Sequence, residues 1–333
     1  MKERLLAAVR RADGYQRRRD WLGLPYAVIR KFSEDRASNL AALISYYAFF
    51  SIFPLILAAT TILGYVLTGH PDLQKNVQHS WLSQIPLIGS SLGKNQSLTG
   101  NAAALIVGLV LALWSGLAVA RTAQTAFNSV YNIPMADRPN VVEKTKRAVV
   151  LMLVVGIGLI VSTGLSGVVT GTSSTLGIAA KIGSAIVAIA INIGIFAVAF
   201  NWLTVRDITW REALPGATFS AVAWYALQLG STAVVTHKLH GAQGTYGQFA
   251  IVIVLLSWFY LAAQLVLLGA ELNVVLSDRL WPRALLDRPQ TDADFRAFEA
   301  YAEEQRYTPL EDVDTQFDDA DVQQRRDEVL GDR

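Results

Sequence analysis

The chain has 333 residues, 52% of them hydrophobic, a mean hydropathy of +0.34 and a formal net charge of +2. That much apolar material is high for a water-soluble domain of this length. There is no cysteine, which excludes disulfides, thiolate nucleophiles and cysteine-based metal sites.

The net charge averages two unlike ends. Residues 1–39 carry 10 Lys/Arg against 5 Asp/Glu, and residues 284–333 carry 6 against 15. The first 20 residues are basic and lack an apolar core, so no secretory signal peptide is expected and the first apolar stretch is expected to act as the insertion signal. Within the basic segment, Trp21, Leu22, Leu24, Val28 and Phe32 alternate with Arg30, Lys31 and Arg36. This pattern predicts an amphipathic helix at the membrane interface, with its cations near anionic headgroups.

Six apolar stretches follow: Leu40–Leu67, Ala102–Ala120, Ala148–Val169, Ile182–Trp202, Ala213–Val235 and Phe249–Leu276. Each is close to or longer than the ~20 residues that a helix rising about 1.5 Å per residue needs to cross a bilayer. The predicted fold is therefore all-α and polytopic, with six transmembrane helices over residues 40–282. The segment before the first stretch, the gaps after the second and fourth, and the segment after the sixth together hold 25 of the 29 Lys/Arg residues. This asymmetry places both termini in the cytoplasm.

Apolar side chains gain nothing by leaving lipid for one another, so the packing faces are expected where small residues recur. Such stripes are Gly158, Ser162 and Ser166 in the third stretch, Ser184, Ala188 and Asn192 in the fourth, and Gly216 and Ser220, then Gln228, in the fifth. Pro54 lacks an N–H and predicts a kink in the first span, with Ser51 and Tyr47 one and two turns earlier. The outer loop is expected to carry a short surface helix over 81–88.

In the sixth stretch Ser257, Gln264 and Glu271 stand seven residues apart. Seven steps of about 100° return to nearly the same azimuth, giving one polar seam about 21 Å long with Tyr260 beside it. Glu271 is the only carboxylate within the six stretches, and such a residue marks a functional site by default. Two roles stand open: an ion pair with Arg121 at the inner end of the second span, or the handling of a substrate or proton.

Beyond Trp281-Pro282 the composition becomes polar and acidic. Thr291 is placed to cap a helix through Tyr301, with Asp292 and Asp294 in its first turn. The rest of the 283–333 tail reads as largely disordered.

No constellation for an enzyme is present. The four histidines, at 70, 79, 237 and 240, all fall in expected outer loops without a carboxylate at metal-ligand spacing, and no phosphate-binding glycine loop occurs. Neither a catalytic residue, a cofactor nor a metal is expected. The basic stretch at 121–147 follows from topology, so no nucleic-acid partner is expected.

Four segments also resemble a known family: AALISYYAFFSIFPLIL at 41–57, LWSGLAVARTAQTAFNSVYNIP at 113–134, WREALPGATFSAVAW at 210–224 and YGQFAIVIVLLSWFYLAAQLVLLGAELNVV at 246–275. They closely resemble the YihY/BrkB family of bacterial inner-membrane proteins, and the resemblance covers residues 20–282. Carried over by position, its signature residues are Tyr46, Tyr47, Ser51, Phe53, Pro54, Arg121, Asn128, Tyr131, Pro215, Gly216, Tyr246, Gly247, Trp258, Tyr260, Gly269, Glu271 and Asn273. The resemblance implies the bacterial inner membrane. Members have carried the labels virulence factor and ribonuclease BN, the latter generally regarded as a misassignment.

Two functions are expected from these observations. One is a transporter or flippase-like handler of a lipid or amphipathic envelope molecule, with Tyr47, Ser51, Asn192, Gln228, Tyr260, Gln264 and Glu271 along its path and membrane lipids as partners. The other is a non-transporting scaffold that recruits a protein partner through its cytoplasmic ends.

Overall fold

The computed structural model describes residues 2–66, 102–153, 178–246, 249–286 and 290–317. Among these the chain is helical, with no strand. The helices are α1 (Lys2–Arg17), α2 (Asp20–Glu34), α3 (Ala37–Val66), α4 (Ala102–Val130), α5 (141–153), α6 (Ile178–Leu203), α7 (Trp210–Tyr246), α8 (Phe249–Ser277) and α9 (Asp292–Glu304). A 3₁₀ turn, Met135–Asp137, lies between α4 and α5.

Among the described residues, four helices contain a segment long and apolar enough to cross a membrane: Ala37–Ala58, Leu105–Val130, Ile186–Leu203 and Val252–Ser277. Only 17–22% of each apolar window is buried inside the molecule. Leu43, Phe50, Ile106 and Trp114 are among the large apolar side chains left exposed, as expected of a surface whose solvent is hydrocarbon. Most of the expected third stretch, with Gly158, Ser162 and Ser166, lies outside the described residues, as do the 81–88 segment, His70 and His79.

The fifth stretch forms the N-terminal part of α7, whose 37 residues continue to Tyr246. His237 and His240, expected in a loop, therefore stand on a helix. Pro54 lies inside α3, which remains helical on both sides of it.

The chain divides into two compact units, residues 1–39, 124–223 and 264–333 in the first and residues 40–123 and 224–263 in the second. The boundary falls within α3, α4, α7 and α8. In the second unit, Gly108 of α4 lets the helix approach α3, where an added Cβ would lie 3.3 Å from the Ala58 nitrogen. Trp224 and Trp258 meet edge to face at 5.4 Å.

The first unit is held at one joint by an absence of side chains. A Cβ on Gly216 of α7 would stand 2.0 Å from the Gly269 carbonyl oxygen of α8, and a Cβ on Gly269 would stand 2.0 Å from Ser220 Oγ. The two backbones can come this close only because both positions are glycine. Asn273 locks the same crossing. Its Oδ1 accepts from the Gly216 N–H at 2.7 Å, and its Nδ2 donates to the Ala213 carbonyl at 3.3 Å and the Tyr131 hydroxyl at 3.4 Å.

Helices α2, α4 and α8 each stop at a residue in the left-handed region: Arg36, Asn132 and Arg279, with φ of 52°, 51° and 53°. The Ile133 N–H returns to the Asn128 carbonyl at 2.8 Å and the Leu280 N–H to the Val275 carbonyl at 3.0 Å, which closes the ends of α4 and α8 and redirects the chain.

Candidate functional site

Helix α2 buries one face, formed by Gly23, Ala27, Val28 and Lys31, while Trp21 and Ile29 are exposed. The four-residue spacing of Gly23, Ala27 and Lys31 puts them in one row. Lys31 therefore points into the protein rather than toward headgroups, and its side chain is 0% exposed.

Its ammonium group meets three acceptors. It donates to Asp35 Oδ2 at 2.5 Å and to the Val130 carbonyl at 2.7 Å, and it forms an ion pair with Glu271 Oε2 at 3.0 Å. Val130 ends α4, whose last carbonyls lack partners within the helix, so the lysine caps that terminus with a cation at the negative end of the helix dipole. The side chains of Asp35 and Glu271 are 2% and 0% exposed. One cation thus stands between two acids, all three withdrawn from solvent.

The sequence sets Arg121 beside Glu271 as an expected partner, and the structure adds Lys31 to that acid. The ion pair that the structure shows for Glu271 is with Lys31. The row of small residues on α2 carries Lys31 inward to α8.

The Lys31–Glu271 contact lacks the angles of a hydrogen bond. Both Glu271 oxygens and Asp35 Oδ1 are buried without a hydrogen-bond partner. Burial works against the Lys31 charge, but Glu271 and Asp35 outweigh it and hold the ammonium above its ordinary value of 10.5. Burial pushes the Asp35 carboxyl up from its ordinary 3.8, and Lys31 only partly offsets it.

A second charged layer joins α2 to α9. Arg283, 0% exposed, bonds through Nε to Asp294 Oδ1 at 2.6 Å and through a terminal nitrogen to both oxygens of Glu34 at 3.0 and 2.9 Å. Arg30 bridges Glu34 at 2.9 Å and Asp294 at 3.1 Å, and the Tyr301 hydroxyl donates to Glu34 at 2.7 Å. The Tyr301 ring centroid lies 5.9 Å from Lys31 Nζ. Thr291 caps α9 as the sequence predicts, in a capping box closed by Asp294. Burial disfavours the Asp294 charge, but the Thr291 N–H, Arg283 and the Thr291 hydroxyl outweigh it and hold the carboxyl below its ordinary value.

The far end of α9 is tied down as well. Glu304 accepts from Ser129 and Arg138, each at 2.7 Å, and Arg306 pairs with Asp137 at 2.6 Å. Where the sequence reads as disordered beyond Tyr301, the helix runs to Glu304, and Phe317 packs against Phe295 with ring centroids 4.6 Å apart. Residues 318–333 lie outside the described residues.

Of the expected path, Tyr47, Ser51, Gln228 and Tyr260 belong to one compact unit and Asn192, Gln264 and Glu271 to the other. Ser51 Oγ donates to the Ala48 carbonyl of its own helix at 2.7 Å, and Asn192 Nδ2 donates to the Ala188 carbonyl of its own at 2.8 Å. Tyr47 and Gln228 are exposed, and Tyr260 and Gln264 half-buried. Among these seven, Glu271 alone stands in the charged group. Lys31 and Asp35 were missed, and the signal that finds them is the small-residue row leading to Lys31.

Comparison with known proteins agrees with the helical membrane architecture. No solved structure matches the chain. A UPF0761 membrane protein of Pseudomonas paraeruginosa is 26% identical over 276 residues, covering 80% of this chain and 66% of that protein. The ribonuclease-like protein YfkH of Bacillus subtilis is 25% identical over 264 residues, covering 75% and 93%. A UPF0761 membrane protein of Chromohalobacter salexigens is 25% identical over 264 residues, covering 76% and 62%. The chain thus spans slightly under two thirds of the UPF0761 relatives and nearly all of YfkH. The family described as Virulence factor BrkB matches residues 28–293, which takes in the glycine crossing, the Asn273 lock and all three members of the buried charged group. The chain belongs to the Virulence factor BrkB family of membrane proteins.

Proposed function

We propose that this chain is a non-enzymatic, six-span protein of the bacterial inner membrane, with both termini cytoplasmic, that moves a lipid or other amphipathic envelope molecule. The observation that carries this reading is the buried group of Lys31, Asp35 and Glu271, two acids on one cation at the end of apolar helices. Replacing a buried ion pair with apolar side chains is commonly neutral or stabilising by about 1–4 kcal/mol. Stability alone therefore gives no reason for a group with a surplus negative charge, whereas ionisable residues at membrane depth mark transport pathways and relays. Six spans are supported by the four apolar helices, by the length of α7 and by the alternation of basic gaps.

The test is lipid extraction and mass spectrometry of the protein purified in mild detergent, with Glu271→Gln and an unrelated six-span protein alongside. A lipid class enriched on wild type and lost from a well-folded variant is the expected result. Lipid content equal to the unrelated control contradicts it.

A scaffold is favoured by a different observation. A hollow of about 540 Å³ is lined by Asp278, Arg296, Glu299, Glu303 and Asp314 among others, an acidic recess at the end of α8 and along α9 that suits a basic segment of a protein partner. The scaffold reading predicts that neutralising Glu299 and Glu303 abolishes the cellular phenotype while Glu271→Gln leaves it intact. The ribonuclease-like name of YfkH raises a third activity, for which the sequence groups neither a general base nor a ligand set. RNA cleavage by protein free of soluble nucleases would revive it.

A further inference from the structure

We propose that Asp35 and Glu271 hold one proton between them beside Lys31, so that this buried group is a proton-binding site, neutral when filled and carrying one negative charge when empty. The proposal concerns the same group on which the transport reading rests and names its ligand.

The charge count comes first. Lys31 supplies one positive charge and the two carboxylates two negative ones, with side chains 0%, 2% and 0% exposed. A surplus charge so deeply buried is costly, and a carboxyl relieves it by taking a proton.

The count of hydrogen bonds points the same way. The Lys31 ammonium group donates to Asp35 Oδ2 and the Val130 carbonyl and meets Glu271 Oε2 by charge alone. What remains without a donor is Asp35 Oδ1 and the Glu271 carboxylate, all buried. Both acids face the same ammonium group, Asp35 Oδ2 at 2.5 Å and Glu271 Oε2 at 3.0 Å from Lys31 Nζ. Two ionised carboxylates have no hydrogen to share, whereas a proton on either supplies an O–H that the other accepts. One proton therefore balances the charge and gives both acids a bond.

The neighbouring charges among the described residues are themselves paired. From α2, Glu34 faces Arg30 and Arg283, and those two cations are engaged by Glu34 and Asp294. From α9, Tyr301 donates to Glu34, and Glu304, itself bonded to Ser129 and Arg138, adds negative field at Asp35. From the end of α4, Tyr131 is buried with its hydroxyl on Asn273. Every further acid in this shell favours proton uptake.

The test is infrared spectroscopy of the purified full-length protein, titrated with pH and repeated in heavy water. Wild type is expected to show the C=O stretch of one protonated carboxyl at neutral pH, fading as the solution is made alkaline. Asp35→Asn and Glu271→Gln should each lack it, because the remaining carboxylate then pairs one to one with Lys31. Lys31→Met should roughly double it, since neither acid keeps a counter-charge. Absence of the band from wild type at neutral pH, or its persistence in both single variants, overturns the proposal, and the wild-type titration decides even where a variant does not fold. A protein that shows the band but enriches no lipid keeps the proton site and loses the transport reading. Lipid enrichment without the band does the reverse.

Discussion

Replacing Lys31 with methionine keeps the length and apolar stem of the side chain and removes only its charge and donors. Three contacts disappear: Asp35 Oδ2 at 2.5 Å, the Val130 carbonyl at 2.7 Å and Glu271 at 3.0 Å. Removing one partner of a buried pair costs about 3–5 kcal/mol, chiefly through the charge left behind. The orphaned end of α4 adds about 1 kcal/mol. The loss should depend on pH in a definite direction. Asp35 already titrates above its ordinary 3.8 because of burial, so the native state binds protons that the unfolded chain releases. The stability associated with that proton is complete below the ordinary carboxylate range and is lost as pH rises through the raised folded value. With Lys31 gone a second proton joins it. The gap between variant and wild type should then widen by up to about 1.4 kcal/mol per pH unit, smallest in mild acid and largest in alkali. Unfolding in detergent, followed through the eight tryptophans, measures it. A triple variant, Lys31→Met with Asp35→Asn and Glu271→Gln, should recover most of the loss. Stability equal to wild type at every pH, or a gap that widens toward acid, would refute the reasoning.

Other outcomes follow from the same structure. Gly216→Ala should force α7 from α8, because its Cβ meets a backbone oxygen at 2.0 Å. At least the ~1–3 kcal/mol typical of overpacking should appear in the same unfolding assay. Gly269→Ala meets Ser220 Oγ at 2.0 Å instead, and Ser220→Ala should restore part of its loss. Arg283→Ala leaves Asp294 buried without its main cation and should release α9, read as faster amide exchange over residues 292–304. The lowered Asp294 carboxyl makes that docking persist through mild acid and fail only as pH falls below its ordinary 3.8. Leu310, 95% exposed, offers a topology probe in a chain without cysteine. Leu310→Cys in intact cells should resist a membrane-impermeant thiol reagent and react after lysis.

The long apolar helices were legible because hydrophobic length is a local property. The bounds of α8 fall within one residue of the stretch expected, and Thr291 is the cap that its spacing to Asp294 predicts. Glu271 was legible as the acid inside a span, but its partner was not. The basic character of α2 suggests headgroups, and only the packing of Gly23 and Ala27 turns Lys31 inward. The docking of α9 was hidden because Glu34 and Arg283 are 249 residues apart, beyond the reach of any periodicity. The glycine crossing was half visible. Gly216 and Ser220 form a stripe of small residues, whereas Gly269 sits in a run of large apolar ones and gains meaning only from its neighbour across the crossing.

The measurement that tests the central claim most directly is lipid translocation in proteoliposomes carrying the full chain, with Glu271→Gln and protein-free vesicles alongside. The buried acid as a working part of the protein predicts that wild type moves labelled lipid between leaflets faster than empty vesicles, and that a folded Glu271→Gln protein falls back to the empty-vesicle rate. Wild type indistinguishable from empty vesicles, or a variant as fast as wild type, would contradict it.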